Sequence, residues 1–294
     1  MPQGSLTMDV MEAGYRALVW AVRRWAGLTR REVLVDDHRW VYLEGGAGEP
    51  VVLLHGFGAD KDRWGLFPGA FTRDYRLLVP DLPGFGESSR LEEASYDMAS
   101  QADRLHGFCR ALGLHRFHLA GISMGGGIAG YYAGRHPEKV KSLLLLDPAG
   151  VRTPVPSDAL RLYEDEGKNI LLYRTADEFG ELVPYLFHRP PPLPGPVKRF
   201  FVERLSTDLR FRQRVSADIL EGGLAVLEGR LGLIRANTLV VWGRNDRVIH
   251  SSGAWRLQKG IENCRVVILD ACGHMPFLEK RKETERACLD FLAL

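Results

Sequence analysis

The chain lacks several features that would place it outside the ordinary globular proteins. It has only four cysteines among 294 residues. These are Cys109, Cys264, Cys272 and Cys288, with no C-x-x-C pair and no zinc-finger spacing to histidines. A disulfide-stapled scaffold and a structural zinc site are therefore excluded, and free, mostly buried thiols in a reducing compartment are expected. Long hydrophobic runs are missing too, for none approaches the ~20 residues that span a bilayer. The longest apolar run near the N-terminus, residues 17–22, meets Arg23-Arg24 at once and has no small-residue cleavage site, so it does not read as a secretory signal. A cytoplasmic protein is expected. Charge of one sign is absent as well: 39 basic and 37 acidic residues leave a net charge of +2. The arginines are scattered, with no basic run interleaved with aromatics, so no nucleic-acid partner is expected. There are no internal repeats and no low-complexity tail.

What is present suits one large α/β domain, or one domain with an insertion. Residues 8–28 have helical periodicity. Met11, Tyr15, Leu18, Val22 and Trp25 share one face, while Arg16, Arg23 and Arg24 fall mostly on the other. This N-terminal segment, residues 1–30, has two readings. It packs on its own domain, or it lies at a substrate entrance or makes peripheral contact with a membrane surface. Trp20, on the polar face, favours the second.

Strand signals follow. Residues 32–35 and 38–43 flank Asp36-Asp37 as a hairpin. Val51-Val52-Leu53-Leu54 is a continuous apolar run, as expected of a strand buried on both faces of a parallel sheet. Similar runs cover 76–79, 117–120, 142–146, 238–242 and 265–269, with helical patterns at 101–112, 124–135 and 252–261 between them. This alternation predicts a doubly wound, mostly parallel α/β sheet built from residues 31–149 and 236–294. Between them, residues 150–235 carry helical patterns at 159–173, 176–187, 197–204 and 211–220, broken by the proline-rich stretch 189–196. They read as an inserted helical cap.

The stretch G-I-S-M-G at 121–125 lies between a strand and a helix. By itself a glycine–x–serine–x–glycine match is weak. Here the flanking glycines allow a sharp turn that would present Ser123 at the carboxyl end of the sheet. A serine hydroxyl needs a base to become a nucleophile. His274 follows the last strand and fits that role; His55, at the end of another strand, competes, although its neighbours suit a structural role. The base needs an acid to fix its tautomer. Asp246 follows the strand at 238–242, and Asp147, at the end of an earlier strand, is the alternative. The tetrahedral intermediate needs amide donors, for which Met124 and Phe57 are placed. Ser123, Asp246 and His274 occur in the order this architecture requires.

Several motifs carry a family resemblance: H-G-F-G-A-D-K-D at 55–62, P-D-L-P-G-F-G-E-S at 80–88, G-I-S-M-G-G at 121–126, R-P-P-P-L-P at 189–194, V-W-G-R-N-D-R-V-I at 241–249 and C-G-H-M-P-F-L-E at 272–279. From about residue 31 to the end the chain resembles the α/β-hydrolase superfamily. Within it, the chain is similar to bacterial lipases of the family V type and to the membrane-associated monoacylglycerol lipases of animals. The resemblance implies an α/β-hydrolase fold, a triad of Ser123, Asp246 and His274, and hydrolysis of lipid carboxylic esters through an acyl-enzyme, with no metal or organic cofactor. The animal enzymes carry an N-terminal membrane-spanning segment, where this chain is only amphipathic. Two alternatives on the same fold remain: a carbon–carbon bond hydrolase of the meta-cleavage type, and a non-catalytic binding protein. Dehalogenases and epoxide hydrolases are excluded, because they use aspartate where Ser123 stands.

Overall fold

The computed structural model describes residues 3–36, 38–205 and 209–294. Its centre is an eight-stranded sheet in the order β1-β2-β4-β3-β5-β6-β7-β8. The strands are β1 (Leu28–Val35), β2 (His38–Gly45), β3 (Glu49–Leu54), β4 (Tyr75–Pro80), β5 (Phe117–Ile122), β6 (Val140–Leu146), β7 (Asn237–Gly243) and β8 (Cys264–Leu269). The β1–β2 and β2–β4 pairings are antiparallel, and every other pairing is parallel. Asp37, expected in the hairpin turn, residues 1–2 of the N-terminal segment and residues 206–208 of the expected cap lie outside the described residues.

Burial on both faces explains the continuous apolar runs. In β3, Val52 and Leu54 enter one core while Val51 and Leu53 enter the other. Leu143 and Leu145 of β6 likewise oppose Leu144 and Leu146. Helices α2 (Met98–Ala111), α3 (Met124–Arg135) and α8 (Gly253–Gly260) cover the first face. Helix α10 (Arg281–Leu292) and two short 3-10 turns at Lys61–Trp64 and Phe67–Ala70 cover the second. All parallel strands end on one edge, where ligands bind in open α/β sheets.

Helix α1 (Gln3–Trp25) ends three residues earlier than its periodicity suggests. Gly27, at φ +65°, turns the chain, and β1 begins at Leu28 rather than at 32. Between β6 and β7 lie α4 (Asp158–Glu166), α5 (Ala176–Leu186), α6 (Gly195–Leu205) and α7 (Leu209–Gly222). Helix α4 stops at Glu166, short of the expected 173, because Gly167 adopts the left-handed conformation that closes helices. Ile170, Tyr173, Phe179, Leu182, Val183 and Val202 give this insertion a small core of its own.

Candidate active site

Ser123 sits at the β5–α3 turn with φ 54° and ψ −123°, a strained geometry for a residue with a side chain. Close packing enforces it. A Cβ on Gly121 would lie 2.2 Å from the Gly125 carbonyl oxygen, and one on Gly125 would lie 2.4 Å from the His55 oxygen. The backbone of Ser123 is pinned from the next strand, since its N–H donates to Leu146 O at 3.0 Å and its carbonyl accepts from Ala149 N–H at 2.9 Å. Met124 opens α3, where an N–H has no preceding intrahelical acceptor.

Asp246 and His274 meet at the same edge of the sheet, after β7 and β8. His274 Nδ1 lies 2.7 Å from Asp246 Oδ2. Both residues are buried. Asp246 Oδ1 accepts from the amides of Val248 at 2.8 Å and Ile249 at 3.0 Å, and Oδ2 also accepts from the Trp242 indole at 3.1 Å. The carboxylate is thereby fixed in direction, and it holds the Nδ1–H tautomer that leaves Nε2 free to take a proton.

His55 is not placed as a base. Its ring is buried, Nδ1 donates to Gly56 O at 2.9 Å, and Nε2 accepts from Leu82 N–H at 3.0 Å. Burial lowers its pKa to about 4, with Lys61 adding to the effect against the pull of the Gly56 carbonyl and Asp60. The neutral ring acts as a strut beneath the turn that carries Phe57.

That turn is held by a buried ion network for which the sequence offers no signal beyond the motifs at 55–62 and 80–88. Asp81 accepts from Lys61 N at 2.6 Å, Lys61 Nζ at 2.9 Å and Glu87 N at 2.8 Å. Arg23 of α1 grips Asp62 with two bonds of 2.7 and 2.6 Å. Glu279 was missed altogether. From α9 (Pro276–Glu279) it accepts the amides of Gly273 at 2.7 Å, His188 at 3.1 Å and Arg189 at 2.7 Å. Its one sequence signal is its place in the C-G-H-M-P-F-L-E motif.

Ser123, Phe57 and His274 line one cavity of about 380 Å³. Its other walls are mostly apolar. Leu171, Phe179, Leu182, Leu186 and Phe201 come from the insertion, and Tyr15, Val19 and Val22 come from α1. The aromatic and aliphatic clusters of the insertion therefore do two things, packing on one another and facing the cavity.

Comparison with known proteins places this geometry. A family model described as alpha/beta hydrolase fold matches residues 49–183. Lipase 1 of Psychrobacter immobilis is 34% identical over 260 residues, covering 85% of this chain and 80% of that one. The chain belongs to the α/β hydrolases, among their lipase-like esterases. Monoacylglycerol lipase ABHD6 of Homo sapiens is 31% identical, over 95% of this chain and 86% of the other. Among solved structures of α/β hydrolases, a bacterial membrane phospholipase A superposes with a TM-score of 0.91 at 40% identity, over 97% of this chain and 91% of that one. A meta-cleavage product hydrolase of Pseudomonas fluorescens superposes with a TM-score of 0.78 at 25% identity, over 90% and 97%.

Proposed function

We propose that this α/β hydrolase cleaves carboxylic esters of lipids through an acyl-enzyme on Ser123. The observation that carries the reading is the 2.7 Å bond from His274 Nδ1 to Asp246 Oδ2, with His274 and Ser123 on the same apolar cavity. Ser123 Oγ attacks the ester carbonyl while His274 Nε2 takes its proton. Asp246 stabilises the imidazolium. The Phe57 and Met124 amides receive the oxyanion, where one such donor is worth about 3 kcal/mol of barrier. His274 then protonates the leaving alcohol, and water, activated by the same imidazole, releases the acid. None of these steps calls on a metal or organic cofactor.

Helices α4–α7 act as the cap, and their apolar wall takes the acyl chain. The relatives' names supply the substrate class: lipid esters, with monoacylglycerols among the candidates. No helix among the described residues is long and apolar enough to cross a membrane. Helix α1 nonetheless leaves Val10 (65%), Leu18 (61%), Trp20 (65%) and Trp25 (59%) exposed beside the cavity wall it builds. Peripheral contact of this face with a lipid surface follows from that arrangement.

A fluorophosphonate probe tests the assignment. Stoichiometric labelling mapped to Ser123, and lost in His274→Ala, supports it. Labelling elsewhere, or none in folded protein, points to the binding protein; the carbon–carbon hydrolase shares the serine, and turnover of a dienoate substrate in place of esters identifies it.

A further inference from the structure

Asp147 ends β6 as a fully buried carboxyl group, at φ 40°. Its Oδ1 accepts the Gly243 N–H at 2.9 Å. Its Oδ2 is buried and, among the described residues, has no donor to accept from. One oxygen of Asp147, one of Asp246 and a ring nitrogen of His274 all lie within 4.8 Å of one another. The two carboxyl groups are therefore close enough for one proton to lie between them. Buried side by side, they do not both stay ionised.

The surroundings decide which acid holds that proton. Asp246 accepts from two amides, an indole and the imidazole. Asp147 accepts from one amide. The negative charge is therefore better solvated on Asp246. Burial first, and then the charge of Asp246, push the Asp147 carboxyl well above the ordinary carboxylate range. The proton turns the orphaned Oδ2 from an unsatisfied acceptor into a donor.

We propose that Asp147 is a positioning residue of this site, a neutral carboxylic acid that gives its O–H to the Asp246 carboxylate and thereby sets how firmly Asp246 holds the His274 imidazolium. The proposal rests on the Ser123–His274–Asp246 assignment. The titratable groups around Asp147 are Asp246 from the turn after β7, and His274 and Cys272 from the loop after β8. Burial pushes the Cys272 thiol up and keeps it neutral. Ser123 comes from the neighbouring β5 turn.

The sign of the effect follows. The Asp147 O–H draws charge from Asp246 and weakens its grip on the protonated ring. Removing this donor strengthens that grip, so the acid limb of the kcat/KM profile moves to higher pH. Were Asp147 an anion, removing its charge would move the limb to lower pH.

The test is the pH dependence of kcat/KM on a soluble p-nitrophenyl ester for the wild type, Asp147→Asn and Asp147→Ala. Asparagine tolerates positive φ, accepts from Gly243 and donates to Asp246. Its acid limb is expected to stay within about 0.3 pH unit of the wild type, while that of Asp147→Ala rises by roughly 0.5–1 unit. A downward shift in Asp147→Asn overturns the proposal, and so does an equal loss at all pH with no shift in Asp147→Ala. Should the alanine variant not fold, the infrared difference between wild type and Asp147→Asn decides: a protonated-carboxyl band at neutral pH is expected, and its absence overturns the proposal. Ser123→Ala and His274→Ala run alongside. Activity that survives them sinks the triad assignment itself, an outcome distinct from any Asp147 result.

Discussion

The main-chain N–H of His274 donates to the carbonyl of Leu186 at 2.8 Å. The proposed base thus hangs from the last turn of α5. Gly273 reinforces this, since a Cβ there would lie 2.7 Å from the same Leu186 oxygen. Displacement of the end of α5 is therefore expected to displace the base.

Glu279 is the clamp on that arrangement. It accepts one amide from the histidine loop and two from the loop after α5. Glu279→Ala leaves three donors unpaired and is expected to cost about 2–4 kcal/mol of stability. It should lower kcat/KM at least tenfold where the protein remains folded. Urea unfolding and ester kinetics on the same sample check both; full activity with lowered stability would make Glu279 purely structural.

The neutral His55 strut gives a pH signature in stability. The folded pKa of about 4 lies below the ordinary value of about 6.5. Unfolded chains take up the proton first, so stability is retained above the unfolded value and is lost as pH falls toward about 4. The loss is on the order of 3 kcal/mol. Compared with wild type, His55→Gln should be less stable near neutrality but should lose less on acidification. Parallel stability–pH curves would refute the burial account of this ring.

If the cavity takes the acyl chain as proposed, its wall sets chain length. Leu182 of α5 lines the cavity that holds Ser123. Leu182→Trp should reduce kcat/KM for palmitate esters at least tenfold relative to butyrate esters, because each methylene denied burial forfeits about 0.8 kcal/mol. An unchanged chain-length profile would place the acyl chain elsewhere.

Helix α1 both walls the cavity and exposes apolar side chains, so deleting it confounds two effects. Point changes separate them. Val10→Asp with Trp20→Asp touches exposed positions only. The double variant should act several-fold more slowly on lipid vesicles while retaining its rate on soluble esters. Equal rates on vesicles would remove the membrane-contact reading.

Much of this was legible before any coordinates. β3 and β6 are buried on both faces, so their apolar runs stand out. β1 is an edge strand with Thr29, Arg30 and Arg31 exposed, so its first half carries no strand pattern. The end of α4 was marked by Gly167, which the helical periodicity of 159–173 had overridden. The proposed triad was readable because each member follows a strand whose carboxyl end must lie on one edge. The roles of Glu279, Lys61 and Asp147 were not, since each depends on partners far apart in sequence that meet only in the folded chain.

The central measurement is the initial rate across p-nitrophenyl esters from acetate to palmitate, with monoacylglycerol, for wild type and Ser123→Ala. A medium- or long-chain optimum in the wild type is expected, with a loss of roughly 10⁴-fold or more in the variant. Wild-type ester hydrolysis that persists in a folded Ser123→Ala protein would contradict an acyl-enzyme on this serine.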